Sequence, residues 1–128
     1  MSRHYARGNA VVDGDRGWFV GQFVAKEHGL RRRDDVELKW QRHPRGEVRA
    51  GSWVSYRTAT TIPILLEGEI LIRIRTGEGI DEVHLRKAGD YVILPPAVFH
   101  TWEALTDCVV LTVRSPSVAD DVIRSSEL

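Results

Sequence analysis

The 128-residue sequence has a single cysteine, Cys108, which excludes an intrachain disulfide and any cysteine-based zinc finger. It has no surplus of either charge: 18 Lys and Arg balance 18 Asp and Glu. Nucleic acids and anionic membranes hold proteins through net positive charge or a basic patch, so neither is an expected partner. The one basic cluster, Arg31-Arg32-Arg33, is followed at once by Asp34-Asp35 and neutralises itself. No apolar run approaches the ~20 residues that span a bilayer. The polar stretch Met1–Gly17 lacks the apolar centre of a signal peptide, so a cytoplasmic location is expected. There is no repeat, no low-complexity tract and no linker.

What is present is 42% hydrophobic and 28% charged residues, the composition of one soluble globular domain. Segments rich in Val, Ile, Trp and Tyr recur between Gly, Pro and Asp. They predict strands at Trp18–Val24, Val36–Gln41, Glu47–Arg57, Ile62–Leu66, Glu69–Arg75, Asp81–Arg86, Tyr91–Leu94 and Cys108–Arg114. That spacing predicts an all-β sandwich or barrel. Over Glu69–Arg75, Ile70, Ile72 and Ile74 share one face while Glu69, Leu71, Arg73 and Arg75 share the other, giving a sheet with one wet side. The expected layout is an N-terminal arm over 1–17, one barrel over 18–115 and a tail over 116–128. The tail is expected to be either one short helix over Ser117–Arg124, capped by Ser117, or a frayed end. Trp18–Val24 is an expected edge strand through which two copies pair as a homodimer.

Two segments carry a resemblance. Gly89-Asp90-Tyr91-Val92-Ile93-Leu94-Pro95-Pro96-Ala97-Val98-Phe99-His100 resembles the second cupin motif, with Ala97 where the motif has its second glycine. Ile64-Leu65-Leu66-Glu67-Gly68 resembles the end of the first motif, with Gly68 as its closing glycine. The resemblance spans about residues 36–114. It implies an antiparallel jelly-roll barrel with a small-molecule or metal site in its mouth, and it places His100 inside. The physics of the second segment agrees: Pro95 and Pro96 cannot donate ladder bonds, so pairing stops there before His100 starts a new strand, with Trp102 on the same face.

The first motif departs from the family. Counting back from Gly68 puts Thr61 at the position of the family's metal-binding Glu. A three-residue spacer puts Ser55 and Arg57 at the two histidine positions; a four-residue spacer puts Val54 and Tyr56 there. The first register is preferred, because it makes both residues polar. Neither offers an imidazole or a carboxylate, and hydroxyls are weak ligands. A guanidinium ~4 Å from a second positive charge costs about 4 kcal/mol per unit charge at an effective dielectric near ~20. No metal or other cofactor is therefore expected.

The expected ligand-binding set is Arg57, His100, Trp53, Ser55, Thr61 and Trp102. Arg57 supplies charge to a small organic anion, with Glu67 or Glu103 as its alternative internal partner. Trp53 supplies an apolar wall and His100 a hydrogen bond. A second reading is a metal-free acid–base enzyme of isomerase, epimerase or cyclase type, with His100 as catalytic base. A third is a metal-dependent dioxygenase with non-standard ligands from His43 and His100. His43 is either a structural loop residue or part of the barrel mouth. His84 is expected to face solvent.

Overall fold

The computed structural model describes residues 4–49 and 52–125. A one-turn helix, α1 (Ala10–Asp13), is capped by the Asn9 side chain. Nine strands follow: β1 (Trp18–Val20), β2 (Glu37–His43), β3 (Trp53–Tyr56), β4 (Thr60–Glu67), β5 (Ile70–Thr76), β6 (Gly79–Leu85), β7 (His100–Ala104), β8 (Cys108–Ser115) and β9 (Val122–Ser125). They form two antiparallel sheets, in the orders β1-β2-β8-β4 and β6-β5-β7-β3-β9. The all-β, antiparallel jelly-roll expectation holds.

The sheets face each other across a graded interior. On β8 the inward residues run Cys108, Val110, Thr112, Arg114, opposite His43, Gln41, Lys39 and Glu37 of β2. Leu65, Ile70, Ile72, Leu85, Ala104, Cys108 and Val110 close one end as a buried apolar cluster. The other end is polar. The outer faces also differ. The five-stranded sheet is charged outside, where Arg73 bridges Glu82 and Glu103. The four-stranded sheet carries apolar rows outside, Leu38–Val113–Ile62 and Trp40–Leu111–Ile64, all half-buried.

Several elements differ from expectation. The Trp18–Val24 strand stops at Val20, because Gly21 adopts φ +151 and its amide bonds to Arg31. A three-residue edge with a bulge is a poor template for pairing with another chain. The Tyr91–Leu94 strand is reduced to isolated bridges beside β4, Tyr91 to Ile64 and Leu94 to Thr61. The amides of Thr61 and Leu65 point at this segment. The alternation that aims them there would aim Pro63's nitrogen the same way, and proline has no N–H to give, so the ladder breaks in the middle.

The tail forms no helix. β9 instead pairs with β3, Val54 against Arg124 and Tyr56 against Val122. The residues expected to start a helix are used elsewhere. The Ser117 hydroxyl donates to Glu37 at 2.8 Å, and the Asp121 carboxylate accepts the amides of Thr58 and Ala59. Burial-offsetting bonds to these amides hold the Asp121 carboxyl below the ordinary range.

Ala97, at the second-glycine position of the motif, sits at φ +69, and its amide bonds to Tyr56. A Cβ in left-handed backbone costs roughly 1–2 kcal/mol, partly offset by the chain entropy that glycine loses. Ala97→Gly is therefore expected to raise stability by up to about 1 kcal/mol. Chemical denaturation reads this directly, and a destabilised variant would contradict it.

Candidate functional site

The polar end of the barrel encloses a cavity of about 240 Å³. Strand alternation decides what enters it. Val54 pairs with His100, so these two share a face, and Tyr56, two residues on, joins them. Trp53, Ser55 and Arg57 have the opposite parity. The four-residue spacer, with Val54 and Tyr56, is thus the register the fold uses, and the preferred one with Ser55 and Arg57 is corrected.

The corrections follow residue by residue. Arg57 is exposed, and its guanidinium donates to the Asp120 carbonyl at 3.0 Å, outside the cavity. The internal partners offered for it are outside as well: Glu67 is exposed near Arg42, and Glu103 bonds Arg73. Trp53 is buried on the far side of the sheet, with the Arg75 guanidinium 4.9 Å from its ring. Ser55 is buried without a hydrogen-bond partner for its hydroxyl and does not line the cavity. His100, Thr61 and Trp102 do line it. His84 is exposed and hydrogen-bonded to Glu69 at 2.8 Å.

The cavity also contains Lys39, Arg49, Arg114 and Arg124, which the sequence reading passed over, together with Tyr56 and with His43, one of the two places offered for it. Arg114 is buried and compensated. Its Nη1 donates to Glu37 at 2.9 Å, its Nε to Thr61 Oγ1 at 3.1 Å, and its guanidinium lies 3.9 Å from the Tyr56 ring centre. Arg49 has no such compensation. Its Nε is buried with no hydrogen-bond partner, and among the described residues no carboxylate pairs with it. Its guanidinium lies 5.9 Å from the Trp102 ring, and burial pulls its pKa down. Among the described residues no acidic side chain lines the cavity.

The two cavity histidines differ. His100 is 5% exposed, with Nδ1 directed at the Val98 carbonyl at 3.4 Å. Burial, reinforced by Arg49 and Arg114, pushes its pKa down to about 4. His43 packs on Trp102, with ring centres 4.2 Å apart, and its Nδ1 is hydrogen-bonded to the Glu47 carboxylate. Burial lowers its pKa too, while Glu47 works in the opposite direction.

A His held neutral on folding but protonated on unfolding costs stability as pH falls. Above about 6.5 neither state takes the proton; between 6.5 and 4 only the unfolded chain does. Acidifying from pH 7 to 4 is expected to remove of order 3 kcal/mol through His100. His100→Gln should flatten that slope in a pH series of urea melts. An unchanged slope would show that His100 is not the group responsible.

At the family's metal positions stand Val54, Tyr56, Thr61 and His100, with Arg114 against both hydroxyl-bearing side chains. Among the described residues no three His, Cys, Asp or Glu side chains converge. One imidazole, two hydroxyls and a guanidinium do not fit a divalent metal.

Neither a protein-family model nor a curated protein matches the sequence. Solved structures do. QdtA, a sugar 3,4-ketoisomerase from Thermoanaerobacterium thermosaccharolyticum in complex with TDP, aligns with a TM-score of 0.61 and 20% identity, covering 69% of this chain and 65% of that one. The alignment thus spans just under two thirds of the ketoisomerase. A double-stranded β-helix protein from Klebsiella pneumoniae aligns with a TM-score of 0.61 and 16% identity over 73% of each chain. A cupin superfamily protein from Desulfitobacterium hafniense aligns with a TM-score of 0.54 and 17% identity over 64% of this chain and 68% of that one. With the graded barrel described above, these likenesses establish that the chain has the cupin fold, the double-stranded β-helix.

Proposed function

We propose that the barrel binds a small organic anion, with Arg49 as the principal anchor. The observation that carries this reading is the Arg49 guanidinium, half sequestered over Trp102 with a buried donor that bonds to nothing. A buried donor without a partner is costly, and a ligand carboxylate or phosphate removes that cost with a charge-assisted bond. Arg114, Arg124 and Lys39 add positive potential, while Tyr56 and Thr61 add hydroxyls. The volume of about 240 Å³ suits a compact metabolite. The binding reading thus keeps the anionic ligand expected from the sequence and moves its anchor from Arg57 to Arg49. The test is a thermal-shift and calorimetric series with small carboxylates and phosphate. Saturable binding that raises the melting midpoint supports the reading; no response to any of them removes it.

A second reading, an acid–base isomerase, is favoured by one observation. His43 is oriented by the Glu47 carboxylate, which leaves its Nε2 as the unprotonated nitrogen. His43 rather than His100 is then the base, because an imidazole with a pKa near 4 is a weak one at neutral pH. The QdtA likeness at 20% identity supports the fold of this reading and leaves its substrate open.

A further inference from the structure

We propose that Lys39 is a nucleophilic amine that forms an imine with the carbonyl group of a small 2-oxo acid held in the cavity. The inference rests on the anion-binding reading and adds a covalent step to it. Lys39 lies on the inward face of β2, between Trp18 of β1 and Thr112 of β8 in cross-strand register. Its Nζ sits 5.1 Å from the Trp18 ring centre, and among the described residues no carboxylate pairs with it. The chain has only three lysines; Lys26 and Lys87 are exposed, and Lys39 alone lines a cavity otherwise supplied with arginines. An arginine could hold an anion equally well at this position, whereas only lysine can offer a neutral nitrogen near neutral pH.

The surroundings favour that neutral form. Burial pulls the Lys39 pKa down to about 8, helped by Arg49 from the β2–β3 connection, Arg114 from β8 and Arg16 from the N-terminal arm, with Glu47 opposing. Near pH 7.5 this leaves about two hundredfold more free amine than an ordinary lysine with a pKa of about 10.4. Desolvation beside other cations is a general way of activating a lysine amine. The step is balanced without an oxidant: the amine lone pair attacks the carbonyl carbon, the C–N bond forms, and the carbonyl oxygen leaves as water with the two amine protons. A carboxylate bound at Arg49 would bring a carbonyl carbon one bond away into the same small space.

The experiment uses the full chain, glyoxylate and cyanoborohydride at pH 8, with peptide mapping of carboxymethyl-lysine at the three lysines. Lys39 is expected to be modified at least about tenfold faster than Lys26 or Lys87. Arg49→Gln is expected to lower the Lys39 rate severalfold, and Lys39→Arg to lose that adduct; glycolate, which has no aldehyde or ketone group, is expected to raise the melting midpoint of the unaltered chain. If Lys39 reacts no faster than the exposed lysines while glycolate still binds, the imine inference is overturned and the anion pocket stands. If Lys39 is labelled quickly but glycolate has no effect, the nucleophile is supported and the anion pocket falls. Failure of both overturns both.

Discussion

Replacing Glu37 with glutamine lowers the stability of the fold by about 3–5 kcal/mol, the range seen when one partner of a buried ion pair is removed. Glu37 and Arg114 are 7% exposed each, and they meet at 2.9 Å where β2 faces β8. Without the carboxylate, Arg114 keeps Thr61 and the Tyr56 ring but carries an uncompensated charge out of water. Ser117, which donates to the same carboxylate, loses its ionic acceptor, so the tail loosens with it. Replacing both Glu37 and Arg114 with apolar residues of similar shape is expected to recover most of the loss. Denaturant midpoints at constant slope measure this. A cost below about 1 kcal/mol for Glu37→Gln would mean that water reaches the pair and that the interior is wetter than the packing indicates. Phosphate should restore part of the stability of Glu37→Gln, because the freed guanidinium faces the cavity.

Arg49→Gln weakens binding of a small carboxylate by about ten- to a hundredfold, the loss of one charge-assisted contact worth about 1.5–3 kcal/mol. The same change leaves folding stability unaltered or raises it, since it removes a half-buried cation that has no counter-ion among the described residues. Affinity and stability thus move in opposite directions, which a merely structural arginine would not produce. Arg57→Gln serves as the contrast. Arg57 is exposed and bonded to the Asp120 carbonyl, so binding should be unchanged. Calorimetric titration of the three proteins decides the matter: equal weakening in both variants, or none in Arg49→Gln, would remove Arg49 as the anchor.

The barrel was legible from Ile70, Ile72 and Ile74 against Arg73 and Arg75, where the apolar face is also the buried one. The cavity was not, because the other sheet inverts that rule. On β8 the apolar residues Val109, Leu111 and Val113 share one face, which read alone marks the core side. The interior receives Thr112 and Arg114, however, while Leu111 and Val113 stay half-exposed outside. Polar residues facing a cavity look, one strand at a time, like polar residues facing solvent. For His100 the Pro95-Pro96 break marked where the strand begins, and the resemblance to the second cupin motif supplied its inward direction. Arg57 was misplaced by one position of register, and in a strand one position is the whole difference between inside and outside. Arg49 lies in a stretch where the sequence shows only a continuous strand from Glu47. In the structure that strand begins at Trp53, and Arg49 enters the cavity from the connection before it. The β9 pairing was invisible because Asp120 and Asp121, which suit the first turn of a helix, serve the turn after β3 instead.

The pairing of β3 with β9 also sets a timetable for the chain. Val54 finds its partner at Arg124, so during synthesis one edge of β3 stays open while the next 70 residues are made. Contacts between such distant positions are slow to form, since the loop must close before any pairing energy is gained. Arg124 belongs to the cavity wall, so the cavity is among the last parts of the molecule to exist. It is also an early part to open, because a four-residue strand at the edge of a sheet exchanges its amides through local fraying rather than global unfolding. The barrel can therefore be folded, by any measure of its central strands, before its pocket is complete.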